Sequence, residues 1–316
     1  MDLSKTWRAH GEPKWCWQKK TDQENVPGHR YVWRLCVSYR RLNQITRPFA
    51  FPIPRCDDAV NDIGPHAKYK ISIDLDAGYW QVKADKEAKP KMAFFVPGGM
   101  KTWTVMPMGI LNAHAIFVAM MTKLQSEWNE LASICPALKH NKNQYGSKVI
   151  VDDVLIYGAT IQVVLAYFQC VLIVLRHYRC TIKLKKCDFL QTEVEFVGVD
   201  VREEGNAPAT SKLTAFENIP PPDTWSDLRM LIGMFGFYQL WLERFELRIR
   251  PYRSLMKEQP NPTTTSKAEE RAKMRELWTT KHDDLLQSLK DQIMSQPILA
   301  RPDYDRRFYV KTDWSK

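Results

Sequence analysis

Read from its N-terminal end, the chain alternates short β-type runs with longer helical stretches. Residues 1–30 are polar, carry tryptophans and show no clear period, so they read as an irregular lead-in. Residues 31–39 (YVWRLCVSY) are rich in β-formers and predict a strand. Pro48, Pro52 and Pro54 then forbid regular structure and imply an extended connection. Residues 68–74 (KYKISID) alternate polar and apolar, the period of a half-buried strand, and end on an aspartate. Residues 94–96 and 102–105 flank Pro97-Gly98-Gly99, a hairpin signal. A helix is expected over 112–130. Residues 148–157 (KVIVDDVLIY) form two β-runs around an Asp-Asp pair, again a hairpin. A helix apolar nearly all round is expected over 161–176, and a strand over 193–201.

Pro220-Pro221-Pro222 is the strongest punctuation, and a domain boundary is expected near it. Beyond it, Thr224 caps a predicted helix over 225–238. A second, over 241–256, carries Arg244, Arg248, Arg250 and Arg253, with Lys257 just after it. Residues 258–270 (EQPNPTTTSKAEE) read as a linker. A helix over 271–294 and a strand over 307–312 close the chain. There is no internal repeat.

Composition narrows the class. At 316 residues the chain has room for about two domains. Its 44% apolar and 26% charged residues exclude a wholly disordered chain, a collagen and a coiled coil. The net charge of +10 favours a polyanionic partner, nucleic acid or an acidic membrane face, without choosing between them. Seven cysteines with no Cys-x-x-Cys argue against a disulfide framework or a zinc knuckle and for a reducing compartment. The first 20 residues lack the apolar core of a signal peptide, and the most apolar run, 161–175, is short for a membrane span. A soluble intracellular protein without a membrane partner is expected.

Of three Asp-Asp pairs, Asp152-Asp153 stands apart because apolar β-formers flank it on both sides. Two carboxylates at the tip of a hairpin with buried arms repel each other, and a cation would relieve that repulsion. Asp74, ending its own apolar strand, can supply a third. If the two strands are neighbours, the three acids form a ligand set for two Mg²⁺ ions. Spacing alone does not bring them together.

These residues resemble the reverse transcriptase of gypsy-type LTR retrotransposons. The resemblance runs from about residue 31 to the end of the chain, with segments in the family's order. Residues 34–43 (RLCVSYRRLN) resemble the fingers motif and 52–59 (PIPRCDDA) the connection after it. Residues 72–82 (SIDLDAGYWQV) resemble the first palm motif, and 106–117 (MPMGILNAHAIF) the entry to the template-side helix. Residues 150–157 (IVDDVLIY) resemble the Asp-Asp hairpin, while 183–189 (KLKKCDF) and 195–199 (EFVGV) resemble the last palm elements and primer grip. Residues 228–255 resemble the thumb, and 296–315 the opening of a fused RNase H domain.

The resemblance implies an α+β right-hand polymerase: fingers, an antiparallel palm sheet with helices, a helical thumb and an incomplete RNase H-like segment. It divides the chain into the lead-in (1–30), fingers and palm (31–201), thumb (202–257), linker (258–270) and a truncated RNase H-like domain (271–316). The implied activity is RNA-directed DNA polymerisation within a retrotransposon polyprotein, located in the cytoplasm or in retrotransposon particles. Asp74, Asp152 and Asp153 would be the catalytic acids and the ligands of two Mg²⁺ ions. Arg34 would lie against the incoming triphosphate, since a guanidinium pairs bidentately with phosphate. Tyr79 would crowd a ribose 2′-hydroxyl, and Gly109 and Asn112 would underlie the templating base pair. Gly198 would form the primer-grip turn. Lys186 is a possible general acid toward pyrophosphate, or part of a solvated lysine face. The implied partners are an RNA or DNA template–primer duplex and deoxynucleoside triphosphates. Asp313 is the one RNase H acid present, and a lone carboxylate predicts no RNase H activity.

Several positions depart from the family pattern. Ile150 replaces an aromatic, Ser38 an aspartate, His114 a proline and Val118 a glutamine, and the apolar helix at 161–176 is usually amphipathic. A second reading therefore stands beside the first: a decayed or truncated copy that folds and binds nucleic acid without turnover. An unrelated magnesium nuclease using the same acids is a third.

Overall fold

Lysine, serine and aspartate alternate with isoleucine near the predicted strand at 68–74, and in the computed structural model this strand lies inside a four-stranded sheet. The structure describes residues 15–19, 33–64, 66–141, 143–260 and 266–301, with Arg307 and Tyr309. The first elements are β1 (Trp15–Lys19), β2 (Trp33–Val37) and two short helices, α1 (Arg40–Ile45) and α2 (Cys56–Asn61). Then come β3 (Tyr69–Asp74), the hairpin β4 (Phe94–Val96) and β5 (Gly99–Lys101), and the long helix α3 (Ala113–Ile134). β6 (Tyr145–Ile150), β7 (Asp153–Gly158), α4 (Ile161–His177) and β8 (Asp188–Gln191) follow. β9 (Val194–Phe196), β10 (Val199–Val201) and β11 (Asn206–Pro208) make a second sheet. The rest is helical: α5 (Thr210–Glu217), α6 (Trp225–Phe237), α7 (Phe245–Arg248), α8 (Arg250–Lys257), α9 (Lys267–Leu277) and α10 (Thr280–Met294).

The main sheet runs β6-β7-β3-β8, antiparallel throughout. Ile71 lies opposite Ile156 and Ile73 opposite Val154. Because side chains alternate across a strand, these four share one face, buried against Phe117 and Trp128 of α3 and Tyr167 and Val171 of α4. Ser147 knits this layer: the Trp128 indole donates to its hydroxyl at 3.0 Å, and the Tyr167 hydroxyl meets it at 2.8 Å. The opposite face, through Leu155 and Tyr157, joins a second core with α2, β9, β10 and helices α5 to α10.

That second core runs through the C-terminal helices without interruption. Trp225, Tyr252, Met274 and Leu286 belong to it together. The Tyr252 hydroxyl donates to the His282 carbonyl at 2.8 Å, and Arg248 donates to Ser288 at 2.9 Å. Helices α9 and α10 therefore pack with the residues before 258 and do not open a separate body. The linker expected over 258–270 is also shorter than the composition suggests, because Ser266 and Glu269 form a capping box that starts α9 at Lys267.

Other expectations change in detail. The lead-in is not irregular throughout: Trp15–Lys19 pairs antiparallel with β2, which its tryptophans and cysteine favour. The second arm of the 94–105 hairpin starts at Gly99, earlier than expected, because the turn is confined to Pro97 and Gly98. The strand expected over 193–201 is broken into β9 and β10, since Val197 (φ 46°) and Gly198 (φ 80°) form a left-handed two-residue turn. The helix expected over 241–256 is interrupted by left-handed Arg244 and restarts with Pro251 in its first turn, where a missing N–H does no harm. Likewise 271–294 divides at Trp278, which is extended. The strand expected at 307–312 falls largely outside the described residues. Helix α4 carries the expected apolar outer face, with Ile161, Leu165, Leu172 and Ile173 exposed. No helix of the described residues is long and apolar enough to cross a membrane.

Candidate active site

The register of the main sheet sets Asp74, the last residue of β3, directly opposite Asp153, the first of β7. Period-two alternation puts both on the face turned away from α3 and α4, the face of Lys70 and Ser72. Asp152 sits in the two-residue turn between β6 and β7, next to that pair. Val151 before it has φ 58°, a conformation that a β-branched residue adopts only under constraint. The turn therefore holds its acid in place at the expense of local strain.

Electrostatics tie the three acids together. The Asp153 carboxyl is pushed above the usual range by desolvation, then by the charges of Asp152 and Asp74, with Lys186 partly opposing. Asp152 also contributes, after burial, to raising the Tyr79 phenol. Among the described residues no three His, Cys, Asp or Glu side chains are close enough to grip an ion unaided. The Lys186 ammonium lies 3.1 Å from Asp74 Oδ2, so a cation already stands against this acid. An all-carboxylate donor set is hard and oxygen-only, the chemistry that Mg²⁺ takes. The donor chemistry of these residues, though not their spacing in this structure, fits a divalent ion of that kind.

The loop carrying Lys186 is brought to Asp74 by backbone. Leu75 bridges Ile182, and the Lys183 amide donates to the Asp74 carbonyl at 2.8 Å. Gln81 clamps this junction. Its amide donates to the carbonyls of Asp76 and Thr181 at 2.6 and 2.9 Å, and accepts from the Thr181 amide at 2.9 Å. Gln81 lies in a quoted motif, yet nothing in the sequence marks a lone glutamine as a clamp.

Tyr79 falls in the short turn Gly78–Gln81 after β3. Its ring stacks on Phe117, with centroids 5.0 Å apart. Gly78 is required here, because a Cβ would come within 2.7 Å of the Phe117 ring. The Tyr79 hydroxyl lies 3.0 Å from His114 Nδ1. Gly109 (φ 89°) lines a cavity of about 290 Å³ with Leu35, Cys36, Val37, Trp80 and Trp103. Asn112 spends its side chain on the chain itself, accepting from the Phe49 amide at 2.9 Å and donating to the Arg47 carbonyl at 3.0 Å. Asn43 does the same for residues 109–111, a staple that sequence reasoning missed. Arg34 lies on β2 opposite Gln18; its side chain, like all of Asp313, lies outside the described residues.

Gly198 forms its turn some way along the chain, fixed from the helical region. The Tyr238 hydroxyl donates to the Gly198 carbonyl at 3.0 Å, and the Ala209 amide approaches the same oxygen at 3.2 Å. Ile150 is directly opposite Asp153 in the β6–β7 register and is buried at the edge of the second core, beside the acid-bearing tip.

Residues 18–201 match the family profile described as reverse transcriptase (RNA-dependent DNA polymerase). The Pol polyprotein of transposon 297 from Drosophila melanogaster is 29% identical over 306 residues, covering 97% of this chain and 26% of that protein. The Pol polyprotein of transposon gypsy, from the same organism, is 25% identical over 97% of this chain and 28% of its own length. The chain thus spans about a quarter of the curated relatives it matches. A foamy viral protease-reverse transcriptase solved with double-stranded DNA superposes with a TM-score of 0.71 at 24% identity, covering 91% of this chain and 46% of that one. The foamy viral protein solved with an RNA/DNA hybrid gives 0.67 at 24% identity, over 86% of this chain and 33% of that one. At such identities the likeness is one of fold.

Proposed function

The chain belongs to the reverse transcriptase (RNA-dependent DNA polymerase) family, and from that premise we propose that it transfers deoxynucleotides to a primer 3′-hydroxyl as directed by an RNA template. The observation that carries this reading is the pairing of Asp74 with Asp153, with Asp152 on the adjoining turn. These three carboxylates would hold two Mg²⁺ ions. When bound, such ions lower the pKa of an attacking hydroxyl and neutralise the leaving pyrophosphate.

The chain's own groups supply the rest. Lys186, paired with Asp74, offsets the repulsion among the acids and is the nearest candidate to give a proton to pyrophosphate. Tyr79 presents a phenol edge to the sugar of the incoming nucleotide. Gly109, held by Asn43, and Asn112, which ties down residues 47–49, would form a floor for the base pair, and Arg34 on β2 would meet the triphosphate. The Gly198 turn lets backbone approach the primer, and Tyr238 fixes it from the thumb. In this reading residues 31–201 are fingers and palm and 202–257 the thumb, with α9 and α10 packed onto the thumb ahead of an RNase H-like segment. The partner would be a template–primer duplex, gripped partly through exposed Arg244, Arg250 and Lys257.

A second reading, a copy that binds nucleic acid without turnover, is favoured by Ile150, which is buried where the family pattern has an aromatic. Primer extension on an RNA template with Mg²⁺, with Asp152→Asn as control, separates the two. Extension by the wild type and none by the variant supports catalysis. Extension untouched by the substitution would remove the site, and salt-sensitive duplex binding without extension would support the second reading.

A further inference from the structure

Tyr79 is fixed at two points. Its ring lies on Phe117 at an interplanar angle of 21°, and Phe117 is fully buried beneath the sheet. Stacking sets the plane and height of the phenol but leaves it free to slide within that plane. The second contact removes that freedom: the hydroxyl meets His114 Nδ1 at 3.0 Å. His114 and Phe117 are three residues apart near the start of α3, so both contacts come from one face of one helix. His114 is exposed, so its ring is not needed to fill the core.

Rejecting one hydroxyl depends on where the excluding atoms lie, and shifts of about 1 Å are enough to change rates by orders of magnitude. We propose that His114 is a positioning residue for Tyr79, and that by holding the phenol hydroxyl it sets how strongly ribonucleotides are excluded from the site. This inference rests on the reading of Tyr79 as the group that crowds the sugar.

The test compares kcat/KM for dCTP and CTP in single-nucleotide extension of a template–primer. Wild type is measured beside Tyr79→Ala, Tyr79→Phe, His114→Ala, His114→Asn and the double variant Tyr79→Phe/His114→Ala. Tyr79→Ala collapses the dCTP/CTP ratio. His114→Ala lowers it about fivefold, the worth of one hydrogen bond, chiefly by admitting CTP. Tyr79→Phe gives the same fall, the double variant no further fall, and His114→Asn, whose side-chain amide lies where Nδ1 was, restores most of it. A ratio unmoved in His114→Ala but lost in Tyr79→Ala overturns this inference and leaves the gate standing. A ratio unmoved in Tyr79→Ala overturns the gate itself. A readout independent of turnover is the histidine side-chain ¹H–¹⁵N spectrum. The His114 Nδ1 resonance moves in Tyr79→Phe and not in Tyr145→Phe; a resonance indifferent to both would end the proposal.

Discussion

Along β3, neighbouring residues live in different surroundings. Ile71 and Ile73 lie under α3 and α4, fully buried among aliphatic and aromatic side chains. Lys70, Ser72 and Asp74 turn to the other side, where Asp74 meets Asp153 and Lys186. The first face is made of groups that water rejects, and its contribution is to stability. At the end of the strand the second face brings together charges that would rather be apart, held by the first face's packing and by the second core around Leu155 and Tyr157. A strand of six residues therefore separates folding from chemistry by alternation alone.

If that division is right, its largest effect is on the charged face. Asp153→Asn should cut primer extension about a thousandfold or more while leaving the melting temperature unchanged or raised, because the substitution removes desolvated like charge. A variant that unfolds as well as losing activity would blur the separation. On the apolar face the pattern reverses. Ile71→Ala should lose about 3 kcal/mol of stability, read by urea denaturation, while folded protein keeps extension within about tenfold.

Lys70 tests whether burial on the second face also carries a penalty. Its ammonium is fully buried, donates to the Thr192 carbonyl at 2.7 Å, and is pushed down to about 8 by burial and then by Arg301. An unfolded lysine titrates near 10.4. Between about 8 and 10.4 the unfolded chain binds a proton that the folded chain does not, so this group's contribution favours folding more as pH rises through that window. Below about 8 the penalty is full and constant. Relative to Lys70→Met, wild type should gain up to about 3 kcal/mol between pH 8 and 10.4; a pH-independent difference would show that Lys70 is not desolvated. The smallest effect is expected at the turn. Val151→Gly relieves a left-handed valine and should raise stability by about 1 kcal/mol, with a few-fold loss of extension as Asp152 loosens.

Much of the four-stranded sheet was legible in the sequence because alternation in KYKISID and the β-runs around Asp152-Asp153 are local signals. The terminal aspartates were visible for the same reason, although their meeting needed the register. Other features left no local trace. Gln81 reaches a partner 100 residues away and Asn43 one 66 away, both through backbone atoms, so no spacing or periodicity announces them. The break at Val197-Gly198 was invisible to β-propensity, because valine is ordinarily a strand former, and only the resemblance placed a turn at Gly198. The shared core of α6, α8, α9 and α10 was hidden by a polar stretch that composition alone reads as a linker.

The meeting of the three acids can be tested by loading the protein with Fe²⁺ in place of Mg²⁺ and generating hydroxyl radicals with ascorbate and peroxide. Cuts are expected at two places in the chain at once, near residue 74 and near residues 152–153, suppressed by excess Mg²⁺ and by Asp152→Asn. Cleavage at one of these places without the other, or at neither, would contradict a shared cation site.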